Sequence, residues 1–373
     1  MPLIYCLLFS SLVGMLMNFH ACAPKKQPST ERPIPVTTIN KYFLDPKTDT
    51  VLRLKFTTNI RAIFEDRKGN FWFGSDQEGL CLFDGKSLTY FKEKGKATDN
   101  QIRAIFEDKT GRIWLEKAKG TSYYDGKQLK AYSNRNYSSK QKWQLQEDDL
   151  WFKSDERVGY NPLEETAGVY RYDGQQFYYH TFPLLPKTED NFQYSSSTPF
   201  VRGQNGRLWM GTYNAVIGYD GRDFTILDNK RLGLTKETGQ LHIRSLFEDS
   251  KGILWIGNNG IGLWCFDGKK TFPFAQQYDL GFPNSLSSYQ TPTKGPNHVF
   301  AIQEDNKGIL WFGDRDTGAW SYDGTSLKNY NLKDGLTTTQ ILKIYKDRRG
   351  TLWFGLANGQ VFQFNGTSFY RVL

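Results

Sequence analysis

IRAIFEDRKGNFWFG (residues 60–74) recurs along the chain. It returns as IRAIFEDKTGRIWLE (102–116), IRSLFEDSKGILWIG (243–257), VFAIQEDNKGILWFG (299–313) and ILKIYKDRRGTLWFG (341–355). Two degenerate copies, WQLQEDDLWFK (143–153) and FVRGQNGRLWMG (200–211), fill the gap between the second and third of these. The marker tryptophans are Trp72, Trp114, Trp151, Trp209, Trp255, Trp311 and Trp353, spaced 42, 37, 58, 46, 56 and 42 residues apart. Self-similarity at this period marks a repeat architecture, in which one unit cannot bury its apolar faces alone.

A second marker follows each tryptophan: LFDG (82–85), YYDG (123–126), RYDG (171–174), GYDG (218–221), CFDG (265–268), SYDG (321–324) and QFNG (363–366). Each unit therefore reads as four short strands. In the first unit, strand A is IRAIFE, strand B NFWFG, strand C GLCLFD and strand D SLTYF. The A–B turn is D-x-x-G, where Asp bonds local backbone and Gly takes positive φ. The C–D turn is D-G or N-G, the strongest short hairpin signal. Four antiparallel strands repeated seven times describe an all-β, seven-bladed β-propeller. Its closure is expected from an N-terminal strand, Tyr42–Leu44 or Val51–Phe56, added to the last blade.

Composition agrees. Among 373 residues there are 27 Phe, 21 Tyr and 10 Trp, which excludes disorder, and only 4 Cys, which excludes a disulfide-stapled scaffold. Cys81 and Cys265 fall on strand C of units one and five and are expected to be buried single thiols. The net charge of +9 is spread over lysines flanking the hairpin turns, each near a turn Asp. That is a mixed-charge solvated face, not a nucleic-acid stripe.

Residues 2–19 carry no charged side chain and precede His20-Ala21-Cys22. The segment resembles a bacterial lipoprotein signal, which implies residues 1–21 as signal peptide and Cys22 as the lipidated N-terminus; an uncleaved anchor is the alternative. Residues 22–40, rich in Pro and Thr, read as a tether, and 41–373 as the propeller. Either way the body is expected outside the cytoplasm, in a bacterial cell envelope.

The repeat, of the form IxxIxxDxxGxLWxGT…GL…YDG…F over residues 59–373, resembles the two-component regulator propeller family. In that family such repeats form extracytoplasmic sensors of hybrid histidine kinases that respond to oligosaccharides. These 373 residues hold one propeller and no kinase, so the resemblance implies the fold and an extracellular ligand, not phosphotransfer.

With strand A innermost, its start shares one face with the D–A and B–C loops. Alignment places Asn59, Gln101, Gln141, Ser196, His242, His298 and Gln340 at one rim position. Two residues on, on the same strand face, come Arg61, Arg103, Trp143, Thr198, Arg244, Phe300 and Leu342. Donors, guanidiniums and aromatics converging on a channel mouth suit a polyhydroxyl or anionic ligand. The competing reading is a strand-start residue that satisfies backbone of the entering loop. The turn aspartates Asp66, Asp108, Asp249, Asp305 and Asp347 lie one per blade and read as turn formers. The long loops 153–168, 181–198 and 274–297 fall on the channel-mouth face.

No catalytic set, metal site or cofactor motif is evident; His180 is placed too far from His242 and His298 to complete a metal site. The chain is expected to be a monomeric, non-enzymatic binding or sensory propeller. Its expected partners are an extracellular polar or glycan ligand, or an envelope protein, with the membrane met through the lipid anchor and no nucleic acid. The alternatives are an enzyme resembling the streptogramin lyases or cleaving glycans, and an interaction platform in an envelope assembly.

Overall fold

The computed structural model describes residues 47–49, 52–95, 97–118, 120–132, 142–153, 168–183, 196–277 and 295–373. Seven antiparallel sheets follow one another in chain order. Blade 1 has strands A–D at Ile60–Glu65, Phe71–Ser75, Leu80–Phe83 and Leu88–Phe91. Blade 7 has them at Ile341–Lys346, Leu352–Leu356, Val361–Phe364 and Phe369–Arg371. Blades 2, 4, 5 and 6 are likewise four-stranded. Blade 3 shows three strands, Leu150–Lys153, Gly168–Tyr172 and Phe177–Thr181, and no strand A among the described residues. Within the three long loops, residues 154–167, 184–195 and 278–294 lie outside the described residues.

The D-x-x-G turn is a structural device. Asp66 Oδ1 accepts from the backbone of Lys68 and Asn70, both at 2.9 Å, while Oδ2 accepts from Trp72 Nε1 at 2.9 Å. Asp108, Asp249, Asp305 and Asp347 hold Trp114, Trp255, Trp311 and Trp353 in the same way. The turn glycines, such as Gly69 at φ 87° and Gly350 at φ 86°, occupy the left-handed region that side chains avoid. Repeat 4 has Gly203 in place of the Asp, and Trp209 Nε1 donates instead to Glu248 Oε2 of the next blade at 2.6 Å.

Each tryptophan then docks on its successor. Trp72 meets Tyr124 at 5.3 Å between ring centroids, Trp114 meets Tyr172 at 4.6 Å, and Trp311 meets Phe364 at 4.9 Å. Trp353 meets Phe71, the first residue of strand B, at 4.4 Å, an aromatic contact across the seam from blade 7 to blade 1. The glutamate ending strand A adds a polar link. Glu107 accepts from the backbone of Arg67 at 2.7 Å, Glu304 from Ser250 at 2.8 Å, and Glu65 from Arg348 at 2.8 Å, again over the seam.

Of the two stretches expected to close the ring, Tyr42–Leu44 lies outside the described residues, and residues 52–56 form no strand. All four strands of blade 7 come from repeat 7, and the N-terminal strand Lys47–Asp49 pairs with Leu88–Phe91 at the outer edge of blade 1. The segment after it buries Leu54 and Phe56 against Trp353, Val361 and Leu373, so the seam is sealed by apolar side chains. Cys81 and Cys265 are buried and unpaired, as expected for single thiols.

Candidate functional site

The rim alignment corresponds to a repeated backbone feature. The carbonyls of Asn59, Gln101, His242, His298 and Gln340 accept from the N–H groups of Asp76, Ala118, Asn259, Arg315 and Ala357, at 2.9–3.1 Å. Each bond joins the start of strand A to the start of the same blade's B–C loop. The strand-start role is therefore carried by the backbone carbonyl. Ser196 holds the equivalent place in blade 4 through a bridge to Thr212. Gln141 lies outside the described residues, as does Cys22.

One residue further along, strand A slips register in five blades, between Ile60 and Ala62, Ile102 and Ala104, Ile243 and Ser245, Val299 and Ala301, and Ile341 and Lys343. The extra residue at each β-bulge is Arg61, Arg103, Arg244, Phe300 or Leu342. A bulge re-aims the side chain it carries. All five line one cavity of about 330 Å³ at the centre of the ring. Two expected members do not join them. Trp143 stacks on Trp151 at 5.6 Å and donates Nε1 to Thr181 O at 2.9 Å, within the core between blades 3 and 4. With no strand A there, period-two spacing does not fix where a side chain points. Thr198 is buried against Gly211, whose N–H it accepts at 3.0 Å.

The mouth is polar and organised. Asp76 Oδ1 takes Arg61 Nε at 3.1 Å and also Gln101 Nε2, and Asp76 Oδ2 takes Asn59 Nδ2 at 3.3 Å. Gln101 Oε1 in turn accepts from Arg103 Nη2 at 3.1 Å. Across the mouth, His298 Nδ1 lies 2.9 Å from Asn259 Oδ1, and Arg315 Nη1 donates to the same oxygen at 3.2 Å. Arg244 is sandwiched between Tyr213 and Phe300, 5.5 and 5.3 Å from the ring centroids. Burial lowers its pKa, and burial with the Arg244 charge pushes His242 down to about 4. His242 is therefore neutral at physiological pH. His180 is buried beside Trp143 and Trp151, far from the mouth cluster. Among the described residues no group of three or more His, Cys, Asp or Glu is arranged to hold a metal ion.

Two lysines of the cavity, Lys153 and Lys343, escaped the sequence reading. Both are departures from the repeat. Two residues past the marker tryptophan, strand B carries Gly74, Gly211, Gly257, Gly313 and Gly355, but Glu116 in blade 2 and Lys153 in blade 3. The glycine is required where the next blade presses its first strand-A residue inward: a Cβ on Gly74 would sit 2.6 Å from Ile102, and one on Gly355 2.7 Å from Ile60. Blade 3 shows no strand A among the described residues and blade 4 has Ser197 at that place, so no branched apolar residue from the next blade is seen to press on Glu116 or Lys153. Glu116 Oε1 and Lys153 Nζ fill it as an ion pair at 3.4 Å, with side chains 3% and 10% exposed. The third residue of strand A is Ala62, Ala104, Ser245 or Ala301 in its siblings and Lys343 in blade 7. Burial, and then the charge of Lys153, push the Lys343 ammonium down to about 8. Comparing repeats for charge at small-residue positions would have found both lysines.

Three stretches, residues 55–77, 239–260 and 293–316, match the family described as Two component regulator propeller. No curated protein matches the sequence. Two extracellular domains assigned to hybrid two component systems of B. thetaiotaomicron superpose with TM-scores of 0.59 and 0.58 at 21% and 19% identity. They cover 86% and 87% of this chain but 41% and 40% of their own, so the chain spans about two fifths of their length. A catalytically inactive virginiamycin B lyase from Staphylococcus aureus, solved with quinupristin, has a TM-score of 0.56 at 16% identity, covering 85% of this chain and 98% of its own. At these identities the likeness is one of fold. The chain is a seven-bladed β-propeller, three stretches of which match the two component regulator propeller model.

Proposed function

We propose that this propeller is a non-enzymatic, extracytoplasmic sensory module that binds a polar extracellular ligand, an oligosaccharide or an anionic compound, in its central channel. The observation that carries the reading is the convergence of Arg61, Arg103 and Arg244, from three different blades, on one cavity of about 330 Å³ that also holds Phe300 and Tyr213. Arginine forks bind carboxylates and hydroxyl arrays in defined geometry, and aromatic faces suit sugar rings. The fold likeness to extracellular domains of two component systems supports an address outside the cytoplasm. The apolar segment 2–19 before Cys22 supports anchoring in the bacterial envelope by lipid at that cysteine.

A glycan array probed with the mature protein and with an Arg61→Ala/Arg103→Ala/Arg244→Ala variant tests the reading. Binding by the wild type that the variant loses is expected, with the ligand recovered chemically unchanged. Absence of wild-type binding, or equal binding by the two proteins, would refute it. Conversion of the ligand would move the chain toward the lyases. Anchoring is tested by Cys22→Ala, expected to release the protein from the membrane fraction.

A further inference from the structure

Five cations line the cavity, and among the described residues two of them have a carboxylate partner. Arg61 pairs with Asp76 and Lys153 with Glu116. Arg103, Arg244 and Lys343 have none within 4 Å among the described residues: Arg103 leans on the neutral Gln101, Arg244 Nε is buried without a hydrogen-bond partner, and Lys343 makes no ion pair. Three positive charges thus share a cavity of about 330 Å³, an arrangement that raises the energy of the charged forms. Burial lowers the pKa of both Lys343 and Arg244, and neighbouring cations add to it, Lys153 at Lys343 and Arg61 with Arg315 at Arg244.

Packing does not call for this charge. At the third position of strand A, Ala or Ser satisfies four sibling blades, and two residues past the marker tryptophan, Gly satisfies five. Lys343 and Lys153 interrupt those series and both face the channel. A costly charge kept where a small residue would serve is most simply explained by something it binds.

We propose that the inner channel is a subsite for a doubly negative group, a sulfate or phosphate ester or a pair of carboxylates, held by Lys343, Arg103, Arg244 and Lys153. This deepens the reading of the channel as a ligand site and rests on it: an acidic saccharide or another dianion satisfies the three unpaired cations, and a neutral oligosaccharide does not. The charged groups facing Lys343 are Lys153, Arg61, Arg103, Arg244 and, behind Lys153, Glu116. A dianion bound in contact with Lys343 would offset much of the surrounding positive charge and favour its ammonium form, so binding takes up a proton near pH 8. It also weakens as salt is raised.

Isothermal titration calorimetry of the full chain at low ionic strength tests this with sodium sulfate, digalacturonate and the neutral disaccharide lactose. The wild type is expected to bind digalacturonate at least ~10-fold more tightly than lactose and to respond to sulfate. Heats measured at pH 8 in two buffers of different ionisation enthalpy are expected to show uptake of up to about half a proton. Lys343→Met should weaken both anions about tenfold and abolish the proton uptake, while Lys343→Arg keeps the affinity; circular dichroism verifies that each is folded. Lactose binding as tight as digalacturonate would overturn the dianion subsite and leave the channel as a ligand site. Sulfate affinity unchanged in Lys343→Met, or no proton uptake by the wild type, would overturn the subsite as well. Silence toward all three probes would overturn both readings.

Discussion

Replacing Lys343 by Met in the ligand-free protein gives the sharpest energetic test. Lys343 is half-buried, faces Lys153, and has its pKa lowered from 10.5 to about 8, first by burial and then by that neighbouring charge. At ~1.4 kcal/mol per pKa unit, the folded state disfavours the ammonium by about 3 kcal/mol. Channel water screens part of this, and about 2 kcal/mol is the working figure. Below pH 8 both folded and unfolded chains carry the proton, so the wild type bears the full repulsion. Between about pH 8 and 10.5 the folded chain has released a proton that the unfolded chain still holds, so wild-type stability rises with pH across that window. The variant lacks this contribution. Urea denaturation followed by tryptophan fluorescence should therefore find Lys343→Met more stable than wild type by about 2 kcal/mol at pH 7, with the gap closing toward pH 10.5. A difference that is the same at every pH, or a variant less stable at pH 7, would refute the assignment of Lys343 as an uncompensated channel charge.

Other consequences concern the frame. Asp347→Ala removes the acceptor of Arg349 N, Thr351 N and Trp353 Nε1 and leaves a buried indole N–H unsatisfied; a loss of about 2–3 kcal/mol is expected by thermal or urea melting. Glu116→Gln strands the buried Lys153 without its counter-ion, so a loss of about 3 kcal/mol is expected, smaller when Lys153→Met is added. Cys81 and Cys265 are buried, and burial raises both thiol pKa values. A thiol reagent should leave both untouched in the native protein and label both in urea.

The frame was legible because each repeat carries its own reasons. Asp66 and Trp72 recur at a fixed spacing because one carboxylate serves both the turn and the indole, and the D-G pair recurs because the C–D hairpin demands it. The rim position was legible for the same cause. That Arg61, Arg103 and Arg244 reach the channel follows from a bulge, which period-two counting approximates without revealing. Trp143 was misplaced because repeat 3 forms no strand A among the described residues, and alternation has no meaning off a strand. The edge strand Lys47–Asp49 was not read from the sequence, because an edge strand is chosen by whichever outer edge it reaches, and no residue pattern names that edge. Lys153 and Lys343 were missed because attention to the shared pattern hides its exceptions. In a repeat protein the shared residues build the ring, and here the exceptions line its centre.

The most direct test of the anion-binding channel is crystallographic. Crystals grown without sulfate or phosphate and soaked in selenate should show an anomalous selenium peak in the central channel, within hydrogen-bond reach of Lys343 Nζ and the Arg103 and Arg244 guanidiniums. Selenate found only on the outer surface, with none among those three side chains, would contradict the account.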